Sequence, residues 1–153
     1  MGGGNQAKYL IRMEVYDCIK DGVPERIVAI GPKAVPALRR IIEEGEFWQK
    51  RIAIIALSNI DCAKAKRILK NALGDEEMGV RIDAMRALEK NDVKGLDEAL
   101  QGIVEMDSCW NVRKVAERIV DRRSSVPPPR IDSRRMPDNF GNLKSVEKRT
   151  VVR

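Results

Sequence analysis

Apolar positions between Ala34 and Val120 recur at helical spacing and, beyond that, at a longer fixed step. In the stretch GDEEMGVRIDAMRAL, Gly74 to Leu88, an acidic turn leads into Val80, Ala84, Ala87 and Leu88, which fall on one face of a helix. The pattern recurs upstream in Glu44 to Leu57 and downstream in Asp107 to Val120, with Ala53, Ala84 and Ala116 spaced by 31 and 32 residues. The segments ahead of each turn match as well. Ala34, Leu38, Ile41 and Ile42 correspond to Ala65, Leu69, Ala72 and Leu73, and then to Leu96, Leu100, Ile103 and Val104. Each unit is therefore a helix, a tight acidic turn and a second helix, and a period of this length signals stacked repeats.

The spacing predicts helices over about Lys33–Glu44, Phe47–Asn59, Cys62–Leu73, Glu77–Lys90, Val93–Glu105 and Cys109–Arg122. Gly45, Asp61, Gly74-Asp75, Asn91-Asp92 and Asp107-Ser108 break them. Ahead of these, Ala7 to Lys20 reads as an amphipathic helix with Ile11, Val15 and Cys18 on one face. Pro24 opens a short helix, PERIVAI, closed by Gly31-Pro32. This pair reads as an N-terminal cap whose outer face is covered by Lys8, Arg12 and Glu14. After Arg123, the segment SSVPPPR favours an extended polyproline conformation, and no periodicity follows. Residues 1–123 are thus expected to form the helical domain, and residues 124–153 a disordered basic tail.

Each copy also carries an acid (Glu44, Asp75, Asp107) and, six residues later, a base (Lys50, Arg81, Arg113). An acid at the start of a helix suits the helix dipole. A base nearly two turns into the helix can reach an acid on the adjacent repeat. With AVPAL at Ala34–Leu38 and VRIDAMRAL at Val80–Leu88, this acid-to-base step resembles HEAT repeats, of the short phycobilin-lyase-type kind, from about Pro24 to Asp121. The resemblance implies an all-α fold: a right-handed α-α superhelix, or HEAT-like solenoid, of about three full repeats plus the cap. It also implies that acid and base form a ladder tying successive repeats together. The chain departs from the family in two ways. Only the first copy has the first-helix proline, Pro36, where Arg67 and Ala99 stand in the others, and Gln49-Lys50 replaces the usual Val-Arg pair.

Charge changes the picture mainly in the tail. The chain holds 29 Lys and Arg against 23 Asp and Glu, for a net charge of +6, and the last thirty residues hold seven of those bases and three of those acids. The basic balance therefore does not by itself imply a basic folded surface. Histidine is absent, which removes the usual general base and the commonest metal ligand. Some HEAT-repeat enzymes hold iron through His-Glu pairs, and this chain has no such pairs. The resemblance does not carry lyase activity either, because fold does not imply function. Cys18, Cys62 and Cys109 are far apart and read as buried or half-buried thiols of a reducing, cytoplasmic compartment. No apolar run reaches the ~18 residues of a membrane span, and the start MGGGNQ reads as no signal peptide. No catalytic, cofactor-binding or metal-binding residue is expected, and no cofactor.

These features point to a non-enzymatic adaptor or scaffold that binds another protein, one of acidic character. Its expected contacts are the aromatics at second-helix starts, Trp48 and Trp110, and the second-helix bases Arg51, Arg86, Lys114 and Arg118, with Phe140 as the apolar anchor of the tail. The alternative is a nucleic-acid-binding module using those second-helix bases and the basic tail. A continuous positive stripe would favour the alternative, and exposed apolar and aromatic surface would favour the adaptor.

Overall fold

The computed structural model describes residues 3–125. Ser124 and Ser125, expected to open the tail, instead continue the last helix; the other expectations for the tail, its disorder and the role of Phe140 included, lie outside the described residues. Those residues form eight α-helices and two short 3-10 turns, with no strand. The helices are α1 (Gly3–Asp21), α2 (Pro24–Ile30), α3 (Val35–Glu44), α4 (Phe47–Ser58), α5 (Ala63–Asn71), α6 (Met78–Lys90), α7 (Leu96–Met106) and α8 (Trp110–Ser125). The fold is all-helical, and a compact unit closes at Arg123. Among the described residues no helix is long and apolar enough to cross a membrane.

Packing follows the repeat. α3 lies against α4, and α5 against α6, as the two helices of one unit. Between units the contacts alternate: α2 meets α4 and α4 meets α6, while α1 meets α3 and α3 meets α5. The small residues of the pattern sit at these contacts, with Ala53, Ala84 and Ala116 all fully buried. Without bulk at those points the helix backbones approach closely, and Leu38, Leu57, Leu69, Leu88 and Leu100 fill the space between them at 0–1% exposure. Each such side chain contributes roughly 1.5–3 kcal/mol of burial free energy.

Helix ends differ from the sequence reading where the backbone has local preferences. Gly31–Ala34 and Ala72–Gly74 are 3-10 turns rather than α-helix, the tightened geometry common at helix termini. α7 starts at Leu96, not Val93, because Asp92 and Gly95 take left-handed conformations with φ of 43° and 73°. α1 begins at Gly3, four residues before the expected start. The cap's outer side also differs. Val15 and Cys18 are buried as the pattern implies, but Tyr9, Leu10 and Met13 stand exposed beside the polar residues, at 61%, 62% and 46%.

The cysteines are free thiols in distinct environments. Cys18 is 1% exposed, and burial pushes its pKa up, while Cys62 and Cys109 are half-buried. Cys62 Sγ caps α5 by accepting the Ala65 N–H at 3.4 Å. A thiol-reactive probe is expected to label Cys62 and Cys109 in the native protein and Cys18 only on unfolding, because the thiolate is the nucleophile. Equal native labelling rates at all three would contradict the burial of α1.

Candidate functional site

The turns that open α6 and α8 are built by their acids. Asp75 Oδ1 accepts the Glu77 N–H at 2.9 Å, and Asp107 Oδ1 accepts the Cys109 N–H at 2.8 Å. This local ring is the reason aspartate suits such turns. The other carboxylate oxygen faces the preceding repeat. Lys50 Nζ donates to Asp75 Oδ2 at 2.9 Å, with the side chains only 15% and 9% exposed. Arg81 Nε and Nη2 grip Asp107 with two bonds of 2.9 and 3.1 Å, a fork geometry that lysine cannot make. Arg81 Nη1 also donates to the carbonyls of Asp75 and Glu76 at 2.8 and 2.9 Å. One guanidinium thus ties the turn of its own repeat to the acid of the next. Arg113 Nη1 repeats the within-turn bond, reaching the Asp107 carbonyl at 2.6 Å.

Glu44 does not belong to this row. It accepts a 3.2 Å bond from Arg40 on the surface of its own helix. The place one repeat before Lys50 is held by buried Ile19, so no base stands there to reach back to it. In its stead Glu46 opens α4, and its N–H donates to Gln49 Oε1 at 2.8 Å, half of a capping box. That contact gives a local reason for glutamine where the later repeats have Val80 and Val112.

The aromatic residues resolve into a row. The first residues of α4, α6 and α8 are Phe47, Met78 and Trp110, which occupy the same position in the repeat. All three are exposed, at 43%, 41% and 61%, and Trp48 is exposed at 46%. The three positions open successive second helices, α4, α6 and α8. A Cβ on Gly79 would lie 2.8 Å from the Phe47 ring, so glycine at that place lets the ring lean on α6. Met78 Sδ in turn lies 3.2 Å from Cys109 Sγ, beside Trp110. The Arg51 guanidinium lies 5.6 Å from the Phe47 ring centroid and donates to Asp83 Oδ2 at 2.5 Å. That hydrogen bond holds the pKa of Arg51 above its ordinary value. The sequence singled out Trp48 and Trp110 as contacts, and set Met78-Gly79 at the equivalent place of the second repeat without counting Met78 among them. Its equivalence to Phe47 in the repeat register was the signal.

Of the four expected basic contacts, Arg51 and Lys114 are ion-paired. Lys50 and Arg81 are in the ladder, Arg51 is paired with Asp83, and Lys114 Nζ donates to Glu117 at 2.6 Å. Arg86 and Arg118 are exposed. Among the described residues no group of three or more cysteines and carboxylates could hold a metal ion.

The chain matches no family model, no curated protein and no solved structure.

Proposed function

We propose that this chain is a non-enzymatic adaptor, a HEAT-like solenoid whose even-numbered helices present a row of apolar side chains to another protein. The observation that carries this reading is the exposure of Phe47, Met78 and Trp110 at one repeat position. Stacked repeats generate extended binding surfaces, and contiguous exposed apolar side chains mark interaction sites. The alternating helix contacts and the forward ladder from Lys50 to Asp75 and Arg81 to Asp107 support the solenoid. A right-handed superhelix of about three repeats, capped by α1 and α2, is the arrangement that reading implies. The bases beyond Arg123 give the partner its acidic character in this scheme. Pairing of the second-helix bases with carboxylates favours a protein partner over a nucleic acid.

The test is capture of partners by the full chain, with and without nuclease, followed by affinity measurements on the partner recovered. Trp110→Ala is expected to weaken binding by about 2 kcal/mol, roughly thirtyfold, with Phe47→Ala and Met78→Ala somewhat less. Melting temperature should hold, because the row is exposed. Binding that disappears with nuclease, or survives the triple substitution, overturns the reading.

A further inference from the structure

A second feature lies away from the apolar row. The first turns of α1 and the start of α3 enclose a cleft of 660 Å³. Its floor is apolar: Ala7 and Ile11 from α1, Pro36 and Ala37 from α3. Its banks are cationic. Lys8 and Arg12 stand one turn apart on α1, Lys33 and Arg40 line the other side, and among the described residues no Asp or Glu lines the cleft. Pro36 helps keep it open: the first-helix proline offers a compact ring where the next repeat has Arg67.

We propose that this cleft binds a small amphiphilic carboxylate, its apolar chain on Ala7, Ile11, Pro36 and Ala37 and its head among the four bases. Two observations on the page select that occupant. Charge complementarity favours an anion, since Lys8, Arg12 and Lys33 converge with Arg40, itself paired with Glu44, and no carboxylate is among the described lining residues. Arg40 has its Nε committed to Glu44 at 3.2 Å, which leaves the terminal nitrogens as the donors available to a head group. Size requires a small molecule. The volume falls within the roughly 300–1,000 Å³ of small-ligand sites. The longer bank, Lys33 to Arg40, measures only about 10 Å along a helix, so a peptide helix would engage it for about two turns. The inference stands independently of the adaptor reading, because none of these residues belongs to the row of Phe47, Met78 and Trp110.

The experiment is titration of the full chain with dodecanoate below its micellar concentration, followed by calorimetry and by amide chemical shifts. One dodecanoate per chain is expected, with the largest shifts on α1 and at the start of α3. Dodecanol, which lacks the charge, and acetate, which lacks the chain, should each bind at least about tenfold more weakly. Arg12→Glu with Lys33→Glu should weaken dodecanoate by about tenfold or more, and so should Ala7→Trp, which fills the floor from an exposed position. Circular dichroism checks that these surface variants keep their helices. Trp110→Ala should leave dodecanoate binding unchanged. The proposal is overturned if dodecanol binds as well as dodecanoate, if the cleft variants bind like the parent, or if only an acidic amphipathic peptide responds to them.

Discussion

Arg81→Ala is expected to lower the unfolding free energy by about 3 kcal/mol, the range for breaking a largely buried ion pair. The side chains of Arg81 and Asp107 are only 12% and 7% exposed. Removing the guanidinium takes away both of its bonds to Asp107 and both bonds to the carbonyls of Asp75 and Glu76. Asp107 then keeps its turn bond to the Cys109 N–H but remains a carboxylate with little water and without its bidentate partner. Arg86, one turn further along α6, is exposed, and Arg86→Ala should cost under about 0.5 kcal/mol. Chemical denaturation of the two variants side by side checks this. Similar losses in both would remove the ladder from the account of why the repeats hold together.

Ala84→Leu is expected to cost about 2–3 kcal/mol through overpacking, a fall in melting temperature of roughly 10 °C. Ala84 is fully buried on α6, and α6 packs against both α4 and α5, so three added carbons have no free volume to enter. Its repeat equivalents Ala53 and Ala116 are as fully buried, and a bulky residue at either should act similarly. Ala63, exposed at the start of α5, supplies the control: Ala63→Leu should change stability by under about 0.5 kcal/mol. An unaltered melting curve for Ala84→Leu would place that face of α6 in solvent.

The candidate site was legible in part. The acid-to-base step marked Lys50, Arg81 and Arg113 together with Asp75 and Asp107, because the ladder is a sequence-periodic device. Glu44 fitted the same step yet falls outside the row, because membership depends on a base in the preceding repeat, and Ile19 stands there. Arg51 and Lys114 were marked as free contacts by charge alone. Asp83 and Glu117 neutralise them, Asp83 from the neighbouring unit and Glu117 from the same helix. Met78, at the same place in the second repeat, was not counted among the contacts because a methionine shares no residue class with the aromatics, only a register and a shared exposure.

By itself the sequence determined where the helices run and which of their faces are apolar. Both follow from spacing along one chain, at 3.6 residues per turn and about 31 per repeat. Tertiary structure decided what spacing leaves open. It set which repeat each base reaches, and which apolar side chains are left uncovered after the faces meet. It also brought Lys8 and Arg12 of α1 together with Lys33 and Arg40 around one cleft. Those outcomes depend on contacts between residues 25 or more apart, such as Lys50 with Asp75. Periodicity within a single helix does not encode them.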